Sequence, residues 1–399
     1  MADVLIAGLS TSAAADSAVV AGFRVTTIDA FGDLDVHPSV RAIALPRDFG
    51  VPFSTAAAGR AAADIVADAV VYLANFENDP GTVAALAGAR ALWGNSPEVL
   101  RRVRDPLVLM RAFRARAIPA PSIKVDAKDP DDLNDPHDPN DSHDPDDWLV
   151  KPIASGGGRD IRPWRGGRVP GGHYLQQRID GAPASVVFVA ARGAAVPLGV
   201  SRQLVGDAAF GADGYRYCGN ILPAAGDPAF VHDEALVDRA EAVATAASAA
   251  FGLVGVNGVD FISAGGVAHP IEVNPRWSGS MELVERAYGV CLFRMHAEAC
   301  VSSALPDFDL RRARRGARAV GKAILFARRN TTIGDTRPWL SDATVRDVPH
   351  PGERIAAGRP VCTIVAEAGD DAGCYAALVR RAERLYASLD RWPDGRRSW

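Results

Sequence analysis

At 399 residues, 48% apolar and 23% charged, the chain is too long for one ordinary core and too rich in apolar side chains for wholesale disorder. Its formal net charge of -4 gives no general attraction to nucleic acid, and no apolar run approaches the roughly 20 residues that a membrane-spanning helix needs. Cys218, Cys291, Cys300, Cys362 and Cys374 are scattered without a CxxC pair, which argues against zinc and disulfide frameworks and predicts reduced, structural thiols in a cytoplasmic protein.

The first 96 residues alternate short apolar runs with alanine-rich stretches. Met1 to Ile6 reads as the approach to a first strand, Val4 to Ala7, rather than as a signal peptide. A helix through Ala13 to Ala21 follows, then strands at Arg24 to Asp29, Ala42 to Leu45 and Ala69 to Leu73. This is the pattern of a small parallel sheet covered by helices on both faces. Ligands of such sheets sit at the carboxyl ends of the strands, which singles out Gly8 to Thr11, Asp29 and Asn75 to Asn78. Turn and helix-capping roles explain the same residues equally well. GxGxxG does not follow the first strand and GxxxxGK[ST] occurs nowhere, against an ordinary NAD or P-loop site.

Pro119-Ala120-Pro121 marks a break, and Asp126 to Asp147 is then built almost entirely from Asp, Pro, Asn and His. Such a segment buries too little apolar area to offset the entropy of ordering, so a mobile acidic loop is expected; its His137 and His143 lack the spacing of a cation site. From Trp148 to Cys300, strands are separated by glycine turns, with one long helix at Asp233 to Phe251. Arg311-Arg312-Ala313-Arg314-Arg315 reads as a solvated face or connector. Strands at Lys322 to Ala327 and Val361 to Val365 and a last helix, Cys374 to Leu389, complete a small covering unit.

Three motifs carry chemistry. The first is a hairpin, Gly258 to Ile262 and Ile271 to Arg276, turning through Gly265-Gly266. Glu272 and Asn274 leave one face of their strand, and a turn centred on Gly266 sets Asp260 opposite Glu272. Two carboxylates so placed repel unless a proton or cation lies between them, and hard oxygen ligands of this kind suit Mg²⁺. A merely solvated face explains only half the pattern, since Val259, Phe261, Ile271 and Val273 form the opposite, apolar face. The second motif is a strand ending in Lys151, followed by Ser155, Gly156, Gly157, Gly158 and Arg159. Glycines let backbone N–H groups approach a phosphate, and the lysine adds a point charge. The third is Gln176-Gln177-Arg178-Ile179-Asp180-Gly181, whose amides and backbone offer a purine edge donors and acceptors.

In this order the three motifs resemble the ATP-grasp superfamily over most of the chain. The start, Val4 to Gly8 with Asp29 to Asp33, looks like the preceding domain of a subgroup of predicted carboxylate-amine ligases. The tail, Asp347 to Gly352 with Ala357 to Thr363, is similar to the end domains of biotin carboxylase and the ATP-grasp carboxylase of purine synthesis. The resemblance implies a mixed α/β and α+β architecture. Residues 1–96 would form a Rossmann-like pre-ATP-grasp domain, 97–310 the ATP-grasp domain with a lid at about 122–182, and 311–399 a β-rich domain with a final helix.

Carried onto this sequence, the resemblance implies ATP with one or two Mg²⁺ ions, or Mn²⁺, as cofactors. Lys151 would hold phosphate and adenine-side atoms, Ser155, Gly156, Gly157 and Gly158 would close over phosphates, and Gln176, Gln177, Arg178 and Ile179 would line the adenine hinge. Asp260, Glu272 and Asn274 would hold metal, and Arg276 would serve catalysis with Lys151. Ser278, Gly279 and Ser280 would wall the carboxylate entrance, while Arg202, Tyr217 and Asn220 are candidates for the acceptor. The pattern departs from the family at Val103-Arg104-Asp105-Pro106, where many relatives carry a lysine that Arg102 or Arg104 replaces, and at Gln177, where an acid is usual. The expected activity is amide formation between a small-molecule carboxylate and an amine through an acyl phosphate, in a homodimer, at a step of pterin or furan one-carbon cofactor synthesis. A bicarbonate-activating carboxylase and a non-catalytic ATP sensor or scaffold are the rival readings.

Overall fold

The computed structural model describes residues 2–125, 147–230 and 233–392. The acidic run of 126–147, with His137 and His143, lies outside the described residues except for Asp147. In chain order the first unit holds β1 (Asp3–Ala7), α1 (Ser12–Val20), β2 (Arg24–Asp29), β3 (Arg41–Ala44), α2 (Leu45–Phe49), α3 (Thr55–Ala61), β4 (Ala69–Tyr72), α4 (Pro80–Ala87) and β5 (Ala91–Leu92). Its five strands are parallel in the order β3-β2-β1-β4-β5. β1 reads as a continuous apolar run because both faces are covered. Val4 and Ile6 enter a core shared with Trp277 and Phe293, whereas Leu5 and Ala7 pack with Leu45, Ala58 and Val83.

Two capped helices follow, α5 (Pro97–Val103) and α6 (Pro106–Arg114). Ser96 caps the first, and Asp105 caps the second by accepting from Leu107 N at 2.9 Å and Val108 N at 3.1 Å, each with proline at the first helical position. Arg104 is thereby fixed at the junction of the two helices. A separate antiparallel sheet then takes the order β6-β9-β7-β8, from β6 (Ile123–Lys124), β7 (Trp148–Pro152), β8 (Arg162–Pro163) and β9 (His173–Gln177). One face buries Trp148, Val150 and Leu175 against Trp164 and Val169, so alternation sends Lys151, Tyr174 and Gln176 to the other.

The largest sheet has eight strands, ordered β14-β13-β10-β11-β12-β15-β19-β17. They are β10 (Ala182–Ala191), β11 (Ala194–Val205), β12 (Tyr217–Leu222), β13 (Gly255–Ala264), β14 (Val267–Asn274), β15 (Ala319–Phe326), β17 (Val345–Arg346) and β19 (Pro360–Ala368). A short pair, β16 (Thr331–Thr332) and β18 (Arg354–Ile355), stands apart. The helices are α7 (Asp233–Phe251), α8 (Met281–Tyr288), α9 (Leu292–Ser302), α10 (Leu310–Arg314) and α11 (Asp371–Leu389). The boundary expected at residue 310 does not interrupt this sheet, because β12 pairs with β15 through Asn220 and Lys322. Among the described residues no helix is long and apolar enough to cross a membrane. The five cysteines are free thiols.

The arginine run is a connector that is bolted down rather than solvated throughout. Arg314 is 3% exposed and reaches both Asp233 carboxylate oxygens at 2.7 Å, whereas Arg311 holds Glu234 and Asp238 at the surface. Removing one partner of a buried pair strands the other, so Arg314→Ala is expected to cost about 3 to 5 kcal/mol in denaturant unfolding. Arg311→Ala breaks exposed pairs and is expected to cost about 1 kcal/mol or less in the same measurement.

Candidate active site

The β13–β14 hairpin opposes Asp260 to Glu272 and Gly258 to Asn274. The route to that register differs from the expected one. The turn is the two-residue Gly265-Gly266, with φ of +56° and +79°, so Ala264 faces Val267. A bulge between Asp260 and Phe261 then adds one residue to β14 and restores the pairing of the acids. It also takes Ile271 out of the apolar face: Val259, Phe261 and Val273 are in the core, while Ile271 lines a cleft beside Glu272.

That cleft runs between α5, α6, the four-stranded sheet and β14. Val103, Leu109, Met110, Ile153, Ile161 and Ile271 give it apolar walls, and Arg104, Lys151 and Glu272 give it charge. Lys151 Nζ donates to Gln176 Oε1 at 2.8 Å, a buried contact made across the adjacent strands β7 and β9. Arg104 pairs with Glu272 and donates through Nη2 to the carbonyls of Ile153, at 2.8 Å, and Ser155, at 3.0 Å. It thus ties the acid of the hairpin to the glycine loop. Arg102 instead donates to the Ala250 carbonyl and lies over the Phe251 ring, so of the two arginines only Arg104 enters the cleft.

The glycine loop is docked. Gly157 O accepts from Tyr217 N at 3.0 Å, and a Cβ on Gly158, whose φ is +72°, would lie 1.8 Å from the Tyr215 carbonyl oxygen. Only glycine fits there without moving backbone. Gly156 faces open space, and Ser155 O also receives Asn78 Nδ2 at 3.5 Å from the first unit.

Arg276 is held from the first unit as well. Asn75, at φ +84°, turns the chain after β4 into a short helical turn, Phe76–Asn78, with Phe76 fully buried as its anchor. Glu77 Oε1 then accepts from Arg276 Nε at 3.0 Å and Nη2 at 2.7 Å. The carbonyl of Pro275 accepts from Tyr72 Oη at 3.1 Å and Asn95 Nδ2 at 2.9 Å, so backbone and side chain of the Pro275-Arg276 step are both fixed. Three enclosed polar atoms of this region have no hydrogen-bond partner among the described residues: Glu77 Oε2, Asn78 Oδ1 and Arg104 Nε. Buried polar atoms are nearly always satisfied, and of these three Arg104 Nε belongs to a residue that lines the cleft, Asn78 bonds its glycine loop and Glu77 holds Arg276.

The electrostatics agree with a cation-seeking pair. Burial and the neighbouring Glu272 push the Asp260 carboxyl up to about 7, against an Asn274 Nδ2 donor at 3.0 Å and the charges of Arg276 and Lys151. For Glu272 burial acts in the same upward direction but Arg104, Lys151 and Arg276 prevail and hold it below the usual carboxylate range. Among the described residues no three His, Cys, Asp or Glu side chains converge on one point. Two carboxylates and an amide are nonetheless a donor set of the kind Mg²⁺ or Mn²⁺ accepts, with phosphate oxygens and water completing the shell.

The acceptor-side residues divide. Tyr217 donates to Asn220, whose Nδ2 reaches Ser201 Oγ at 2.9 Å, and Ser185 faces both Ser201 and Asp260 across the strands. Gly279 packs so closely on Tyr217 that a Cβ would stand 2.8 Å from its hydroxyl, and Ser278 Oγ and Ser280 Oγ are 3.2 Å apart beside it. Arg202, one residue from Ser201, projects from the other face and pairs with Asp371 at 2.8 Å; it is not part of this group. Gln177 also faces away, accepting from Ser122 N at 3.2 Å, and Arg178 is exposed beside Asp180. Ile179 is half-buried two residues beyond the end of β9. Glu77 lies in the Asn75–Asn78 loop that the strand-end rule singles out, whereas Ser185, Ser201, Tyr72 and Asn95 belong to no motif.

The ATP-grasp domain family model matches residues 103–280, a span that holds Arg104, Lys151, the glycine loop, the hairpin acids and Arg276. No curated protein matches the sequence. Among solved structures the chain is similar to L-amino acid ligase from Bacillus licheniformis, with 16% identity, coverage of 96% of this chain and 97% of that one, and a TM-score of 0.64. It is similar to N5-carboxyaminoimidazole ribonucleotide synthetase from Thermus thermophilus, with 17% identity, 99% of each chain and a TM-score of 0.62. The biotin carboxylase domain of Hydrogenobacter thermophilus 2-oxoglutarate carboxylase, solved with MgADP and bicarbonate, matches at 12% identity over 98% of this chain and 90% of that one, with a TM-score of 0.62. At these identities the likeness is one of fold.

A raised carboxyl makes the cation-free protein less stable as pH climbs. Folded Asp260 keeps its proton to about pH 7, whereas the unfolded chain releases it near the ordinary Asp value, so stability is full below that value and is lost as pH rises through about 7. Asp260→Asn keeps the acceptor for Asn274 and removes the repulsion. It is expected to melt above wild type at alkaline pH without divalent cation, with the gap closing as the pH is lowered toward the ordinary Asp range, in a melting series over pH.

Proposed function

We propose that this chain, whose residues 103–280 match the ATP-grasp domain model, is an ATP-dependent ligase that joins a carboxylate to an amine. The observation that carries the reading is the pairing of Asp260 with Glu272 within reach of the charges of Lys151 and Arg276, with Glu272, Lys151 and Arg104 lining one cleft beside the glycine loop. Asp260, Glu272 and Asn274 would hold Mg²⁺ or Mn²⁺, which supplies charge neutralisation to the triphosphate when bound. Lys151, with Gln176 fixing its ammonium, and the glycine loop receive phosphate oxygens, and the apolar walls of the cleft receive the purine. In this reading Gln177, Arg178 and Ile179 shape the edge of that purine site through backbone rather than side chains.

The chemistry needs no protein nucleophile. A substrate carboxylate oxygen attacks the terminal phosphorus as the bond to ADP breaks, giving an acyl phosphate. The amine nitrogen attacks the acyl carbon, phosphate leaves with the C–O bonding pair, and the nitrogen gives up a proton to form the amide. Arg276 neutralises charge on the transferring group, its planar fork suiting phosphoryl and carboxylate alike. Glu77 Oε1 holds that fork, and Glu77 Oε2 is free to take the ammonium proton. Ser278, Gly279 and Tyr217 wall the acyl group.

Activation of bicarbonate in place of an organic acid is the second reading, favoured by the likeness of fold to a biotin carboxylase domain solved with bicarbonate. ADP release that depends on bicarbonate and on no added organic acid would select it. A step in pterin or furan one-carbon cofactor assembly belongs to the same proposal, tested by screening ADP release against those intermediates beside mixed amino acids. Glu272→Gln is expected to lower turnover by at least about 10²-fold, the scale of one lost electrostatic stabiliser, while the folded variant retains its shape by circular dichroism. Turnover within about threefold of wild type would remove Glu272 from the mechanism.

A further inference from the structure

The glycine loop and the acceptor wall meet at the start of β12, and a bulge there decides what Tyr217 can touch. In the β11–β12 ladder Val205 faces Tyr217 and Leu204 faces Gly219, so Cys218 is an extra residue on β12. Strict alternation would send Tyr217 and Asn220 to opposite faces of the sheet. With the extra residue, Cys218 and Ile221 both enter the core with Leu378 and Ala382 of α11, and Tyr217 and Asn220 share the other face, where the Tyr217 hydroxyl donates to Asn220 Oδ1. Gly219 permits the bulge, since a Cβ there would lie 2.1 Å from the Lys322 carbonyl oxygen.

The backbone of the same segment receives the glycine loop. Tyr217 N donates to Gly157 O at 3.0 Å, and Gly158 lies so close to Tyr215 that a Cβ would be 1.8 Å from its carbonyl oxygen. The other end of the loop is held from the cleft, by Arg104 Nη2 on the Ser155 carbonyl at 3.0 Å. Ser155, Gly156 and Gly158 line the cleft, whereas Tyr215 and Tyr217 stand outside its walls. On its far side the Tyr217 ring is boxed in. A Cβ on Gly279 would stand 2.8 Å from the hydroxyl, and Asn220, which accepts from that hydroxyl, is bonded through Nδ2 to Ser201 Oγ at 2.9 Å. One residue therefore touches the glycine loop through its amide and the acceptor wall through its ring, so a change in the seating of the loop is felt at the wall.

We propose that Tyr217 is a positioning residue that couples the two halves of the site: with nucleotide on the glycine loop, the loop stays seated on Tyr215 and Tyr217, and the seated loop keeps the Tyr217 ring against Asn220 and Gly279. The acceptor wall is complete only while the cleft is occupied, so the second substrate binds after Mg-ATP. Coupling of this kind is reciprocal, and a disturbance of the wall weakens the nucleotide in turn. The proposal rests on the reading that the loop and cleft take nucleotide, while the coupling itself rests on the contacts of Tyr217.

The test is hydrogen exchange of the full chain, read by mass spectrometry, with and without Mg²⁺ and a non-hydrolysable ATP analogue at a concentration that calorimetry shows to be saturating. In wild type the analogue is expected to slow exchange across residues 215–217 by at least about threefold, the scale of one neutral hydrogen bond. Gly158→Ala, whose methyl has no room beside the Tyr215 carbonyl, should lose that slowing even at saturation. Gly279→Ala pushes on the ring from the wall side and should weaken analogue binding by about threefold or more. The affinity losses of the two changes should not multiply in the double variant, because each breaks the same link. The proposal is overturned by unchanged exchange at 215–217 in saturated wild type, by equal slowing in saturated Gly158→Ala, or by affinity losses that multiply in the double variant. The two readings fail separately: analogue binding without the slowing sinks the coupling alone, whereas no magnesium-dependent binding of the analogue sinks the nucleotide reading and the coupling with it.

Discussion

The repulsion between Asp260 and Glu272 is the constraint around which the rest of the molecule is arranged. Two carboxylates facing one another on adjacent strands are unfavourable in a half-buried setting, and the chain answers with Arg104 and Lys151 from two other segments and Arg276 just beyond β14. Arg104 neutralises Glu272 directly, while Asp260 is left holding its proton. Asp260, Glu272 and Asn274 would be the residues to hold a divalent cation, which would supply the positive charge that Asp260 lacks. The same guanidinium holds the carbonyls of Ile153 and Ser155, which means that any movement of Arg104 is felt in the glycine loop.

The first unit contributes more than a platform. Tyr72 and Asn95 fix the Pro275 carbonyl, and Glu77 fixes the Arg276 side chain, so this arginine is positioned by residues some 200 positions away in sequence. Asn95 also accepts from Val254 N and donates to Asn257, which knits the start of β13 to the same point. Geometry of this kind is rigid because every buried donor and acceptor in it but Glu77 Oε2 is satisfied.

Much of the site was readable from local pattern, and the unread parts share a physical cause. Period-two alternation places Lys151 and Gln176 on one face of adjacent strands, and the acid pairing follows from a hairpin with two glycines. The pairing was reached through a turn centred on Gly266, however, whereas the chain uses a tighter turn and a bulge at Ile271; a bulge leaves no sequence mark as strong as a glycine turn. Arg202 was grouped with Asn220 by proximity in sequence, but alternation along β11 sends Ser201 inward and Arg202 outward to Asp371. The choice between Arg102 and Arg104 depends on how the helix junction at Asp105 packs, and the partner of Glu77, although its loop at Asn75 to Asn78 is legible, depends on a contact with Arg276 across the fold.

The continuity of the eight-stranded sheet gives these pieces a common frame. Strands that sequence divides between two units, β12 and β15, pair directly, so polar side chains run without a break from Glu272 and Asp260 through Ser185, Ser201 and Asn220 to Lys322. Lys322 is held by Glu282, whose carboxyl stays at about 2 because Lys322 and Arg286 outweigh its burial. Lys322 acts on the Asp347 carboxyl as well, which Thr363 also bonds and which burial nonetheless raises, so this one ammonium serves two acids. The spacing along this polar row is therefore set by the strands of one continuous sheet.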